Sequence, residues 1–191
     1  MKYVSIDLEM TGLNPDTCDI LEFGAVLDDL ENPLPLDELP RFHCYFSPMH
    51  EGGTFRGEPY ALQMHPEIFK RIDERREPYT YLSPKKFGNN FKQFLLKNGY
   101  MVNRDKVTIN VAGKNFGSSD LQFLNKQTDL DKHVKISHKI LDPGMLYVEK
   151  DDTSLPALSN CLQRAGFDSN VSHTAIEDAL DVIKLIRYKL L

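Results

Sequence analysis

The chain has 191 residues and carries a formal net charge of −5 at pH 7, with an isoelectric point near 5.7. This length favours a single domain over residues 1–191, with a core large enough to fold without disulfides. The acidic balance excludes a protein that coats duplex nucleic acid through a broad basic surface. It leaves open an enzyme that meets phosphate groups through bound cations.

Cysteine usage and hydropathy indicate the compartment. The three cysteines, Cys18, Cys44 and Cys161, lie far apart without CxxC spacing. We therefore expect reduced thiols, no zinc site and a cytoplasmic protein. The N-terminal segment reaches Asp7 too soon for a signal peptide. Because no run of 18 apolar residues occurs in the sequence, we expect no membrane-spanning helix.

The first half of the sequence predicts an antiparallel meander followed by helices. Residues 3–9 alternate between apolar and polar side chains, residues 20–27 are largely apolar, and residues 41–46 alternate again. After a glycine-rich loop, we expect a helix over residues 61–72. A second, amphipathic helix is expected over residues 84–98, because its phenylalanines recur at helical spacing.

The second half predicts strands and helices in alternation. Residues 106–112 and 138–141 have the composition of strands. Helices are expected over residues 154–165 and 174–190, with a shorter helix around Asp120. Three strands followed by alternating helices and strands indicate the α/β class. We therefore expect a mixed five-stranded sheet, with three antiparallel and then two parallel strands, flanked by helices.

The first strand carries two acidic residues, Asp7 and Glu9. Side chains in a strand change face at every residue, so both carboxylates project from the same side. Carboxylates one pleat apart repel each other unless a positive charge lies between them, and Mg²⁺ or Mn²⁺ prefers such oxygen ligands. Two interpretations remain open for this pair alone: a divalent metal site, or a half-buried strand with its polar face in water.

The final helix carries a third acid. Thr174 and Glu177 fit a capping box, which places His173 on the loop just before the helix. At 100° per residue, Asp178 lies at the edge of the apolar stripe, where an unpaired carboxylate would be costly. The stripe consists of Ala175, Ala179, Val182 and Ile186. Taken singly, His173 also fits a surface histidine, and Asp178 fits a first-turn acid favoured by the helix dipole.

A fourth acid, Asp120, follows the strand over residues 106–112. This position places it near the carboxyl end of the sheet, where the sites of open α/β proteins are usually found. The alternative is a helix cap within the sequence Ser118-Ser119-Asp120. The chain thus offers four carboxylates and one imidazole to a single site.

These residues resemble the motifs of a known family. Asp7-x-Glu9, Asp120 and His173-x-Ala-x-x-Asp178 are similar, in order and in their elements, to the motifs of the DEDDh exonucleases. That family is the DnaQ-like branch of the ribonuclease H-like fold. Residues 7–13 resemble most closely the first motif of oligoribonuclease. The chain departs from that subfamily because it has no tryptophan, reads Gln-Met-His-Pro at residues 63–66, and shifts the glycine of the second motif by one position.

The resemblance implies a ribonuclease H-like fold and a metal-dependent 3′ to 5′ exonuclease. The expected substrate is single-stranded or short RNA or DNA, which is shortened to nucleoside 5′-monophosphates, and a homodimer is one assembly that the family allows. The acids expected to hold two Mg²⁺ or Mn²⁺ ions are Asp7, Glu9, Asp120 and Asp178. His173 is the expected general base. The residues expected to bind substrate are Met10, Thr11, Gly12, Leu13, Asn115 and Phe116, with core packing as the alternative for Phe116.

Two other functions remain open. A catalytically silent relative would bind nucleic acid or a protein partner without cleaving it. A proofreading or repair subunit would act on DNA ends inside a larger complex. Loss of one acid would be the sequence sign of a silent relative, and none is lost. The sequence shows no evident linker for docking to a polymerase, so a free-standing exonuclease is the favoured interpretation.

Overall fold

A computed structural model describes residues 1–170 and 174–191, so the expected base His173 lies outside the described residues. The strands in this part of the chain are β1 (Lys2–Met10), β2 (Ile20–Asp29), β3 (Arg41–Phe46), β4 (Tyr81–Leu82), β5 (Val102–Asn103), β6 (Lys106–Ala112) and β7 (Val134–Leu141). The helices are α1 (Pro59–Met64), α2 (Pro66–Glu74), α3 (Pro84–Lys97), α4 (Asp120–Gln127), α5 (Leu130–His133), α6 (Gly144–Tyr147), α7 (Leu158–Ala165) and α8 (Ala175–Leu190). None of these helices is long and apolar enough to cross a membrane.

One mixed sheet forms the centre of the fold. Its strand order is β4-β3-β2-β1-β6-β5, and β7 also pairs with β6. β1, β2 and β3 form an antiparallel meander, whereas β6 runs parallel to β1 and β7 runs parallel to β6. The prediction of an α/β fold with three antiparallel strands and then two parallel strands is confirmed.

The predicted strand count is wrong, because seven strands form in the described residues rather than five. The additional strands β4 and β5 have two residues each and pair with β3 and β6. Two residues are too few to show a period of two in the sequence. β7 begins at Val134 rather than at residue 138. Its pairing with β6 is irregular between Ile109 and Val111 of β6, and this irregularity interrupts the alternation of buried and exposed side chains along β7.

The predicted helix over residues 61–72 is wrong in its continuity. Two helices, α1 and α2, form instead and meet at His65. Pro66 explains the break, since a proline disfavours helical backbone at the residue before it, and His65 has φ −118° and ψ 39°. Pro156 likewise disfavours helical backbone at Leu155. The helix predicted over residues 154–165 is shorter than expected and begins at Leu158.

The two faces of β1 are covered by different helices. Its even-numbered residues Val4, Ile6 and Leu8 belong to a core that also contains residues of α3. Its odd-numbered residues Ser5, Asp7 and Glu9 lie on the face where α8 packs across β1 and β2. Glu9 is only 9% exposed. The interpretation that this polar face lies in water is therefore wrong, and the alternation instead separates an apolar core from an acidic layer.

A glycine lets α8 approach the sheet at the acidic end of this face. Gly24 is opposite Asp7 in the β1–β2 register. A Cβ at Gly24 would lie 2.3 Å from the carbonyl carbon of Ala175 and 2.4 Å from the backbone nitrogen of Ile176. Because real contacts of this kind are never so short, the first turn of α8 can pack here only against a residue without a side chain.

We expect Gly24→Ala to displace the first turn of α8. Forced overpacking costs about 1–3 kcal/mol, so urea unfolding should show a loss of stability in this range. Divalent-metal binding should also weaken, because Asp178 is carried by the same helix. Gly117→Ala is the matched control, since its added Cβ would meet only the flexible end of Ile140. Equal stability and metal affinity in the two variants would contradict this role of Gly24.

Candidate active site

Three carboxylates converge where β1 meets the first turn of α8. Asp7 and Glu9 come from one face of β1, and Asp178 comes from α8. One oxygen from each of the three lies within 4.8 Å of the other two. Glu9 and Asp178 are buried, and Asp7 is partly buried. The structure thus brings together acids that the sequence assigned to opposite ends of the chain.

Asp120 lies beside this group and is held to β1. It is the first residue of α4, it is 4% exposed, and its Oδ1 accepts a 3.0 Å hydrogen bond from the backbone N–H of Leu8. The N-cap of α4 is Ser119, so the alternative of Asp120 as the helix cap is wrong. Among the neighbouring carboxylates, Asp120 contributes most to the raised pKa of Asp7. Asp120 therefore acts electrostatically on the same site.

Burial favours the neutral forms of Asp7, Glu9 and Asp120, and repulsion by neighbouring carboxylates adds to the effect at Asp7 and Glu9. Loss of hydration raises the pKa of Glu9 to about 8, with further contributions from Asp178 and Glu22. The same cause raises the pKa of Asp7 well above its usual range, and the charges of Asp120 and Glu9 add to the shift. Burial raises the pKa of Asp120 to about 7, although backbone hydrogen bonds oppose it. Several perturbed carboxyl groups in one place are typical of a functional site.

The site fits a divalent cation. Among residues 1–170 and 174–191, no Lys or Arg side chain forms an ion pair with Asp7, Glu9 or Asp120. The basic group next to Glu9 is His65, whose Nε2 lies 3.6 Å from Glu9 Oε2. Buried like charges without a counter-charge are costly, and hard cations bind carboxylate oxygens. Mg²⁺ or Mn²⁺ would therefore be held by the oxygens of Asp7, Glu9 and Asp178, next to Asp120.

Sequence reasoning did not assign two residues that lie against Glu9. Glu22 is opposite Glu9 in the β1–β2 register and is fully buried. His65 is 6% exposed and lies between α1 and α2. The available signal for Glu22 was an acid inside an otherwise apolar strand. The position of His65 depends on the path of a long connection, so it had no local signal.

The expected substrate-binding residue Thr11 is tied into the protein. Thr11 is fully buried, and its hydroxyl donates a 2.5 Å hydrogen bond to the carbonyl of Arg56. The same hydroxyl accepts a 2.7 Å hydrogen bond from the N–H of Asp19. Its side chain therefore joins three segments of the chain close to the metal strand, and its expected contact with substrate stays a prediction.

The other expected substrate-binding residues differ in exposure. Met10 packs partly against the apolar core, and Gly12 has φ +153° with no room for a side chain. Leu13 is 82% exposed, and Asn115 is exposed with a left-handed φ of +57°. Phe116 is 1% exposed and belongs to the core, as its alternative anticipated. Leu13 and Asn115 are thus the accessible members of the expected set.

The chain matches the exonuclease family RNase_T over residues 4–186. It belongs to the RNase_T exonuclease family. The matched residues include β1, α4 and α8, which carry all four acids. The expectation of a DnaQ-like exonuclease is confirmed, and the special likeness to oligoribonuclease stays a prediction. A comparison with curated proteins gives no significant match.

Solved nuclease structures have a similar fold. The cell-death related nuclease CRN-4 superposes with a TM-score of 0.65 at 12% identity, covering 97% of this chain and 62% of that chain. The zinc-bound E. coli ExoI–ssDNA complex has a TM-score of 0.62 at 12% identity, covering 98% of this chain and 40% of that chain. The ExoI/SSB-Ct complex has a TM-score of 0.59 at 13% identity, covering 98% and 41%. The RNase_T chain therefore spans less than two thirds of the length of these structures.

We expect the stability of the metal-free RNase_T chain to fall as pH rises from about 5 to 8.5. In the folded protein Glu9 and Asp120 keep their protons up to pH values of about 8 and 7, whereas unfolded carboxyls lose theirs near pH 4. The folded state binds more protons in this window, so the free energy of unfolding decreases with pH. Thermal unfolding at several pH values measures the effect.

Saturating Mn²⁺ should remove most of this pH dependence, because the cation replaces the protons that the carboxyls release. Glu9→Gln, which removes one of the shifted groups, should flatten the metal-free profile. A melting temperature that rises with pH in the metal-free protein would contradict the assignment of these shifts.

Proposed function

We propose that this exonuclease-family protein hydrolyses single-stranded or short oligonucleotides, RNA or DNA, from the 3′ end and releases nucleoside 5′-monophosphates. The observation that carries the proposal is the convergence of Asp7, Glu9 and Asp178 within 4.8 Å, with Asp120 fastened beside them. The cofactors are two Mg²⁺ or Mn²⁺ ions, held by these four carboxylates. Among the described residues no Lys or Arg side chain forms an ion pair with Asp7, Glu9 or Asp120, which supports bound metal as their counter-charge.

The protein's own part in the reaction is to hold charge in place before substrate arrives. Bound divalent ions supply an activated water and stabilise the charge that develops at phosphorus. β1 holds Asp7 and Glu9 in fixed register, because it pairs with strands on both sides. Asp120 cannot turn away without losing its bond to Leu8. The four carboxylates can thus bind cations with little reorganisation. Charges that are already in position need not rearrange during the reaction, and this preorganisation aids catalysis.

The sequence places His173 one turn before Asp178 and outside the helix. An imidazole has an unperturbed pKa near 6.5, so it can take a proton from the attacking water at neutral pH. We assign His173 this role of general base. A loop position would let it approach when substrate binds.

The surface around the site supports a single strand as substrate. The ExoI structure that shares this fold is a complex with ssDNA. In this chain the exposed Leu13 follows the metal strand directly and offers an apolar surface to a terminal base. Apolar contact with the face of a base does not read its hydrogen-bonding edges, so such a surface tolerates any base. With a net charge of −5, the bound cations supply the attraction for phosphate.

The decisive experiment is hydrolysis of matched 5′-labelled RNA and DNA oligomers, from a dinucleotide to a 20-mer, with Mn²⁺ and with EDTA. We expect a metal-dependent ladder that shortens from the 3′ end and is absent with EDTA. Asp178→Asn keeps the shape of the ligand but removes its charge. Activity should fall by more than about 100-fold. Loss of a residue that only hydrogen-bonds a metal ligand already lowers metal affinity or activity by about 10- to 100-fold, and Asp178 is expected to be a ligand itself.

The outcomes separate the alternatives. Immediate release of the 5′ label as a mononucleotide would contradict the 3′ to 5′ direction. Binding of the oligomers without cleavage in Mn²⁺ would favour the catalytically silent relative. If the DNA oligomers were cleaved only after annealing to a template that leaves a mispaired or recessed 3′ end, the proofreading or repair subunit would be favoured. Full activity of Asp178→Asn would show that the Asp178 carboxylate is not a required metal ligand.

We expect His173→Ala to lower turnover by about 10²- to 10⁴-fold, the range for a lost general base. Mn²⁺ affinity, measured by calorimetry, should stay at the wild-type value. His138→Ala, a substitution of an exposed histidine on β7, is the control and should keep full turnover. If His173→Ala instead lost its metal affinity, His173 would be a ligand and the role assigned to it would be wrong.

A further inference from the structure

A fifth carboxylate lies on the acidic face of the sheet. In the β1–β2 register Glu22 is opposite Glu9, and Gly24 is opposite Asp7. Residues that face each other in an antiparallel pair have Cβ atoms about 4.5–5.5 Å apart, with their side chains on the same face. Glu22 has 0% exposure. Its charge therefore lies directly beside Glu9, shielded from water.

The two oxygens of Glu22 have different surroundings. Oε1 lies 2.6 Å from Nε2 of His43 on β3. Oε2 is buried and has no hydrogen-bond partner in residues 1–170 and 174–191. A buried charged oxygen without a partner is costly, and native proteins contain few of them. The described part of the chain therefore leaves this strong acceptor without a donor.

A second buried acid on the same strand shows what a structural carboxylate looks like here. Asp28 lies on the same face of β2 and is 4% exposed. Its Oδ2 accepts hydrogen bonds from the hydroxyl of Tyr3 at 2.6 Å and from Nε of Arg187 at 3.0 Å, and its Oδ1 accepts one from the same guanidinium at 2.5 Å. Both oxygens of Asp28 are satisfied by the protein. Glu22 differs because its Oε2 has no such donor in residues 1–170 and 174–191.

We propose that Glu22 is a positioning residue of the metal site, whose Oε2 accepts a hydrogen bond from a water molecule bound to the ion that Glu9 holds. This inference rests on the proposed function, because it requires divalent metal at the four acids. His43 on β3 holds Oε1 of Glu22, and Glu9 lies opposite Glu22 on β1, the strand on the other side of β2. The charge of Glu22 makes the site more negative than four carboxylates alone, which increases its affinity for a dication.

The test compares Glu22→Gln with Asp28→Asn. Both changes replace a buried carboxylate on one face of β2 with an amide of similar shape. For Glu22→Gln we expect Mn²⁺ affinity, measured by calorimetry and by electron paramagnetic resonance, to fall by about 10- to 100-fold, as for other groups around metal ligands. The metal-free variant should melt at a higher temperature than wild type at pH 8, because a repelling charge is gone.

Asp28→Asn should show the opposite pair of results. Its melting temperature should fall, because the Arg187 guanidinium loses its charged partner, while its Mn²⁺ affinity should stay at the wild-type value. Glu22→Asp keeps the charge and should lose less Mn²⁺ affinity than Glu22→Gln. A purely structural Glu22 would instead make Glu22→Gln melt lower and leave metal binding unchanged.

Each result decides the role of Glu22. Unchanged Mn²⁺ affinity in Glu22→Gln overturns it, and so does a Glu22→Gln protein that fails to fold, since the fold would then require the charge. The proposed hydrolysis is tested separately. A wild-type protein that binds Mn²⁺ but cleaves no oligonucleotide contradicts the proposed function, but the comparison of Glu22→Gln with Asp28→Asn still tests the role of Glu22. A wild-type protein that binds no Mn²⁺ overturns both proposals.

Discussion

Repulsion among buried carboxylates is the constraint on which the rest of this structure depends. One carboxylate oxygen from each of Asp7, Glu9 and Asp178 lies within 4.8 Å of the other two, and burial and neighbouring charges together favour the neutral forms of Asp7 and Glu9. Such an arrangement persists only if the surrounding fold is stable enough to impose it. The same stored repulsion is what gives a dication its affinity, since binding removes it.

The sheet holds α8 at two points, of which the first lies at the site. At its first turn α8 packs directly on the backbone of β2, because Gly24 has no side chain. Near its last turn Arg187 pairs with Asp28, which also binds the hydroxyl of Tyr3 on β1. The contact at the first turn therefore positions Asp178 over the sheet, whereas the pair at the last turn stabilises the helix far from the metal site.

The likeness to CRN-4 and ExoI at 12–13% identity shows that the fold tolerates almost complete change of sequence. The segments between the strands and helices are held by side-chain contacts. In this chain the carboxylate of Asp19 organises one of them, accepting from the N–H of Arg56 at 2.7 Å and lying 2.9 Å from Nε2 of His50. This network fixes the course of the connection that leads to His65, beside the site.

The sequence by itself determined the elements whose patterns are local. The alternation of β1, the apolar run of β2 and the spacing of α8 assigned the faces of Asp7, Glu9 and Asp178, and motif order pointed to the family. Tertiary structure alone decided which distant groups meet. Asp120 binds a backbone N–H on β1 rather than capping α4, and Glu22 comes to lie opposite Glu9 only through strand register. Register and helix seating are set by contacts between residues far apart in the chain, so no local pattern encodes them.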